Sequence, residues 1–332
     1  MLSEINAIPE GVLSLPAGRL HEMLDGPTLI HLPGRHPEPL FVSVLLHGNE
    51  DTGWEAMRRL LQSYQGVELP RALSLFIGNV AAAGSGVRHL EGQPDYNRIW
   101  KGEGTAEQRM AQRVLDSMAG RRVFASIDIH NNTGLNPHYA CINVLAQPYL
   151  QLANLFSRTI VYFIRPDTVQ SMAFSRLCPA VTVECGKVGE TRATEHAMRF
   201  VEGALHLAQF PAHPLPAGDY ELFHTVATVK VPQEMRFSFS DGSADLLFPG
   251  DLDRMNFREL PARTQLARMG SAGARLEAWD EAGKDVAESY FERENGLLFT
   301  RLPVMPSMLT LNEEVIRQDC LCYLMERLPP VG

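Results

Sequence analysis

Four short stretches hold the residue types that could do chemistry. The first is LLHGNEDTG, residues 45–53, where an apolar run ends in His47, turns through Gly48 and Asn49, and reaches Glu50. Imidazole nitrogen and carboxylate oxygen are both good zinc ligands. A His and a Glu three residues apart can face one cation if the turn between them is tight, and Gly48 makes a tight turn easy. The chain has eleven histidines, so roughly one His-x-x-Glu arises by chance, and alone it reads as readily as a surface or capping pair.

The second stretch is SIDIHNNTG, residues 126–134. Strand alternation puts Ile127 and Ile129 on one face, and Asp128 and His130 on the other. Two His and one Glu, with a fourth position left for water, make a common catalytic zinc set. His130 would complete that set with His47 and Glu50. Asp128 suits a hydrogen bond to the far nitrogen of a ligating imidazole. Taken alone, His130 is an ordinary histidine at a strand end.

The third stretch is VTVECG, residues 181–186, in which Glu184 closes a β-branched run. A carboxylate there is costly unless it is paired, protonated or beside a metal. Held at a raised pKa, it is what a general base needs. An ion pair with Lys187 is the plainer alternative. The fourth stretch is DYNRIW, residues 95–100, with Asn97 and Arg98 adjacent in a loop that follows Arg88. Amide and guanidinium groups bind a carboxylate well, although an Asn-Arg pair by itself carries no information.

In this order the four stretches resemble the zinc carboxypeptidase-like superfamily, in its succinylglutamate desuccinylase/aspartoacylase branch. That branch has H-G-N-E after an early strand, then Asn-Arg, then D-x-H at a strand end, then E-x-G before a helix. The matching residues are His47 to Glu50, Asn97-Arg98, Asp128 to His130 and Glu184 to Gly186. The resemblance runs over about residues 40–210. It implies one Zn2+ per chain on His47, Glu50 and His130, and Glu184 as the glutamate that activates water and protonates the leaving nitrogen. It implies Arg88 at the oxyanion, with Asn97, Arg98 and Arg176 holding the substrate.

Two departures touch the substrate. The stretches from Arg88 to Asn97 and from Arg176 to Glu184 differ in length from the branch pattern. Ser307 stands where the aspartoacylase branch carries a tyrosine ahead of an Asn-Glu pair, here Asn312-Glu313. The acyl group accepted here can therefore differ from that of aspartoacylase. The implied activity is zinc-dependent amide hydrolysis that removes an acyl group from an N-acyl amino acid. The same machinery serves a carboxypeptidase-like metallopeptidase on small peptides. A non-catalytic zinc- or ligand-binding protein is the reading from another class, and the complete ligand set with Glu184 speaks against it.

These residues need a scaffold. Strand-like and helix-like segments alternate through the first two-thirds of the chain, which predicts an α/β domain with a mixed sheet flanked by helices. Strands are expected at 41–46, 73–80, 123–129, 139–145, 160–164 and 180–184, with helices at 54–64, 107–118, 150–157 and 194–209. Thr52 is the expected cap of the first helix. The stretch AAAGSG, residues 81–86, reads as a flexible loop. FPAHPLPAGD, residues 210–219, suits a linker. The expected division is thus a carboxypeptidase-like catalytic domain over 1–210 and a smaller, mostly β domain over 211–332. The last segment, 313–327, reads as a closing helix.

Composition limits the partners. A net charge of -9 excludes a general nucleic-acid binder, which needs a basic face. The N-terminus lacks the basic and apolar regions of a secretory signal, and no apolar run is long enough to cross a bilayer. Five cysteines without framework spacing fit a reducing compartment. The expectation is a cytoplasmic protein acting on a small carboxylate-bearing substrate, with homo-oligomerisation compatible with the sequence.

Overall fold

The buried halves of the central strands are what hold the site in place. A computed structural model describes residues 2–331, and they divide into two compact units. The first comprises residues 2–131, 138–222 and 329–331. It contains strands β1 (Ser3–Ile5), β2 (Thr28–Leu32), β3 (Gly34–Val44), β4 (Leu69–Ile77), β5 (Ala125–Asn132), β6 (Tyr139–Ile142), β7 (Thr159–Tyr162) and β8 (Ala180–Lys187). Its helices are α1 (Thr52–Ser63), α2 (Val80–Ser85), α3 (Ala106–Ala119), α4 (Gln147–Phe156), α5 (Gln170–Phe174) and α6 (Thr191–His206).

The strands order as β1-β2-β4-β3-β5-β8-β6-β7. β3 runs parallel to both β4 and β5, while β6 runs antiparallel to β8. The expected mixed sheet is therefore present. Every residue of β5 is buried, as is the second half of β3. Strands covered on both faces read as near-continuous apolar runs, so the few polar residues inside them stand out. In β5 those are Ser126, Asp128, His130, Asn131 and Asn132.

The helices follow their apolar spacing. α1 buries Trp54, Met57, Leu60 and Leu61, one side of a 3.6-residue repeat. α3 buries Met110, Val114 and Met118, and starts with a capping box between Thr105 and Gln108. Phe41, Phe76, Trp100 and Phe174 interlock as an aromatic group beneath the central strands.

Two local expectations for this unit were wrong. Residues 81–86 are not a loop: α2 covers Val80–Ser85, with the Asn79 side chain accepting from the Ala82 N–H. Three alanines and a cap outweigh the single internal glycine. Thr52 does not cap α1 either, because Asp51 precedes the helix and Thr52 is its first residue.

The second unit comprises residues 132–137 and 223–328. It contains most of β9 (Glu221–Lys230), then β10 (Phe237–Ser238), β11 (Leu246–Leu247), β12 (Gln265–Met269), β13 (Glu277–Asp280), β14 (Phe291–Glu294), β15 (Leu297–Thr300), β16 (Met305–Ser307) and β17 (Cys322–Leu328), with short helices α7 (Ala287–Tyr290) and α8 (Glu313–Gln318). A five-stranded, largely antiparallel sheet orders as β10-β11-β12-β15-β14. The segment 313–327 is not one helix. α8 stops at Gln318, and the chain continues as β17, antiparallel to β16. Leu321, Cys322 and Leu324 pack into the apolar core of this unit, and that burial overrides local helix preference. Ser307 is buried in β16. Among the described residues, no helix is long and apolar enough to cross a membrane.

Candidate metal centre and active site

The site begins where β3 ends. Leu45 has φ 57°, a left-handed conformation that costs a non-glycine residue roughly 1–2 kcal/mol. It is held there by full burial and by its carbonyl, which accepts the Asn79 N–H at 2.6 Å. Gly48 donates its N–H to the Arg88 carbonyl at 3.0 Å, and a Cβ on it would lie 2.3 Å from the Ala82 carbonyl carbon. The glycine is thus required by close approach to α2, not by a positive φ. Gly48→Ala is expected to destabilise the protein by about 1–3 kcal/mol, because the obstructing atoms are backbone and cannot swing away. Urea unfolding checks this, and an unchanged midpoint would contradict the packing described.

The turn brings Glu50 against His47, and the neighbouring strand brings in His130. Glu50 Oε1 is 2.8 Å from His47 Nδ1, and Glu50 Oε2 is 2.8 Å from His130 Nδ1. All three side chains are buried, and one ligand atom from each lies within 4.8 Å of the others. The opposite nitrogens are each held by an aspartate. His47 Nε2 is 3.0 Å from Asp95, and His130 Nε2 is 2.8 Å from Asp128, which also accepts from Ser43 Oγ at 2.6 Å. A carboxylate on Nε2 keeps the proton there and leaves Nδ1 for a metal. The donor set of two imidazoles and one carboxylate, buried and convergent, fits a small divalent cation.

The electrostatics agree. Burial disfavours a charged His130, yet the carboxylates of Asp128 and Glu50 outweigh it and hold the imidazole pKa well above its usual value. Burial likewise opposes ionisation of Glu50, but His47 and His130 keep its pKa far below the usual carboxylate range. The pocket is built to hold positive charge.

Glu184 behaves in the opposite way. Burial pushes its pKa up to about 7, partly offset by His130 and reinforced by Glu50. It lies on β8, next to β5 in the sheet. Its Oε2 is buried with no hydrogen-bond partner. A buried carboxyl poised near neutrality, with His130 and His47 acting on its charge, has the properties that a general base needs.

The arginine expectations divide. Arg88 joins the cluster, bound to Asp95 through Nε and Nη2 at 3.2 and 2.9 Å, with Nη1 3.9 Å from Glu50. Asn97 joins it too: its Nδ2 lies 3.4 Å from His130 Nε2, and its Oδ1 accepts the Gln170 N–H. Burial opposes ionisation of Asp95, but His47, then Arg88 and then Arg98 outweigh it and hold its pKa well below the usual carboxylate range. Arg176 does not join. Its side chain is exposed, in the turn between α5 and β8, and makes no hydrogen bond or ion pair with the cluster. Sequence spacing put it upstream of Glu184, but the chain there is still at the opposite end of β8.

Asp95 was missed. It begins the D-Y-N-R segment, yet a loop aspartate gives no periodic signal. In the structure it is the hub that connects His47, Arg88 and the Asn97 N–H.

Residues 39–210 match the succinylglutamate desuccinylase/aspartoacylase catalytic domain, which is just over half of the chain. The chain belongs to this family. No curated protein matches it in sequence. Solved structures extend the likeness in fold beyond the catalytic domain. The succinylglutamate desuccinylase of Chromobacterium violaceum is 17% identical with a TM-score of 0.58, covering 90% of this chain and 87% of that one. Murine aminoacylase 3 is 16% identical with a TM-score of 0.59, covering 89% and 96%. The product-bound ectoine utilization protein EutE (DoeB) of Ruegeria pomeroyi is 12% identical with a TM-score of 0.54, covering 90% and 88%. At these identities the likeness is one of fold. Within the family's matched segment, the buried His-Glu-His group is the candidate metal centre.

Proposed function

We propose that this protein is a zinc-dependent amidohydrolase that removes an acyl group from an N-acyl amino acid, with one zinc ion on His47, Glu50 and His130. The observation that carries the reading is Glu184: a buried carboxyl with an unpartnered oxygen, held near pKa 7 beside three convergent ligands. All residues given a role lie within 1–210, the proposed catalytic domain, and residues 211–332 are proposed as a mostly β accessory domain.

A zinc ion held by His47, Glu50 and His130 would supply Lewis acidity to the amide carbonyl and to water. The protein's own groups do the rest. Glu184 accepts the proton of the attacking water at its carboxylate and then delivers it to the departing nitrogen. Arg88, fixed by Asp95, directs a guanidinium N–H at the developing oxyanion, an interaction worth about 2.7–4 kcal/mol for one such donor elsewhere. Asn97 and Arg98 hold the free carboxylate of the amino acid. Arg176 is given no role.

The test is a panel of N-acetyl and N-succinyl amino acids set beside dipeptides, with release of free amino acid as the readout. Acyl amino acids are expected to turn over, and Arg98→Leu to raise KM by about tenfold or more as one charged hydrogen bond is lost. Turnover of dipeptides alone would replace this reading with a metallopeptidase. Zinc binding without turnover of either would make the protein a non-catalytic binder.

A further inference from the structure

Asn131 follows His130 directly and has no part in the chemistry above. Its side chain is nonetheless buried and uses its amide fully. Oδ1 accepts the Thr52 N–H at 3.3 Å, while Nδ2 donates to Thr52 Oγ1 at 2.9 Å and to the Gly186 carbonyl at 3.0 Å. Its backbone N–H donates to Glu50 Oε2 at 3.1 Å. Thr52 is two residues beyond the ligand Glu50, and Gly186 is two residues beyond Glu184. One amide therefore bridges three segments: the ligand turn, the strand of the second imidazole and the strand of the base.

Gly53 packs so closely on β5 that a Cβ there would lie 3.1 Å from Ile129 Cβ. The start of α1 thus rests directly on the Val44 and Ile129 side chains of β3 and β5. Gly186 has φ 75°, a conformation open to glycine at no steric cost, so the end of β8 is not locked by its own torsions. An asparagine amide has two N–H donors and one carbonyl acceptor to offer, and here one donor and the carbonyl hold Thr52 while the other donor holds Gly186.

We propose that Asn131 is a positioning residue whose amide ties the turn of His47 and Glu50 to the strand of Glu184, setting the metal ligands and the base in register. The proposal rests on the zinc amidohydrolase reading for its catalytic consequence, but not for its structural one. Its effect on the base is indirect, so misplacement should act on kcat more than on KM, with a loss of about 100-fold for a displacement near 1 Å. Loosening the turn should also weaken zinc, by about 10–100-fold as for other partners that orient ligands.

The experiment compares the full-length parent with Asn131→Ala and Thr52→Val, the latter removing only the hydroxyl that accepts from Nδ2. Zinc affinity is measured by chelator competition, hydrolysis by kcat and KM, and amide exchange over residues 50–53 and 186–190 by mass spectrometry. Asn131→Ala is expected to raise the zinc Kd at least tenfold, lower kcat at nearly constant KM, and speed exchange in both segments. Thr52→Val should shift zinc affinity and exchange at 50–53 in the same direction by a smaller factor. A folded Asn131→Ala with zinc affinity and segment exchange within twofold of the parent would overturn the proposal. So would a lowered melting temperature with exchange raised evenly along the chain, the mark of a merely structural residue. Should Asn131→Ala not fold, Thr52→Val decides, and an unchanged Kd and exchange there would overturn it. Should the parent bind no zinc, the functional reading fails, and the two exchange profiles alone decide the clamp.

Discussion

Glu184→Gln is expected to keep one zinc per chain and to lose about 10²–10⁴-fold in kcat, the range that general base catalysis contributes. The substitution preserves shape and one acceptor oxygen but removes the basic electron pair. It leaves His47, Glu50 and His130 in place, since Glu184 is not among the convergent ligand atoms. Its carboxyl, raised to about 7 by burial, is costly to keep charged, so the neutral amide should not weaken folding. Metal analysis beside steady-state kinetics checks both halves. A variant as active as the parent would remove Glu184 from the mechanism, and a variant without metal would make it a ligand.

His130→Ala is expected to fail in the other way, with metal and turnover lost together. Two effects add. One of three protein ligands disappears, and the carboxylates of Asp128 and Glu50 lose the imidazole that now stands 2.8 Å from each. Breaking a buried charged pair by removing one partner costs about 3–5 kcal/mol. Asp128 retains the Ser43 hydroxyl, which softens the loss on that side only. Urea unfolding of the metal-free chains should therefore place His130→Ala well below the parent, whereas Glu184→Gln should match or exceed it. Retained stoichiometric zinc in His130→Ala would show that the cluster is not the metal centre.

The candidate metal ligands were legible because strands leave a simple trace. His47 and His130 each end an apolar run, and alternation alone placed Asp128 on the face of His130, where the structure has it bonded to Nε2. Glu184 was legible for the same reason: a lone carboxylate in a buried β-branched run. The mixed sheet followed from the alternation of segments.

What the sequence hid was settled by packing or by contacts across the chain. Asp95 sits in a loop, and nothing local shows that it meets His47 across 48 positions. Arg176 had suitable chemistry at a misleading distance, because residues counted along β8 run away from the site. Gly48 stands in the expected turn, but what demands a glycine there is its close approach to the backbone of α2. The 320–322 segment looked helical until the core of the second unit claimed Leu321 and Leu324. Asn131 resembled any polar residue at a strand end, since its hydrogen bonds reach segments far from it in sequence.

Hydrolysis of N-acyl amino acids, followed as the purified full chain is stripped of metal with a chelator and then given back zinc, tests the central claim most directly. The account predicts that activity falls with zinc content from one ion per chain towards none, and returns in proportion as zinc is restored. Undiminished hydrolysis by the metal-free chain would contradict it.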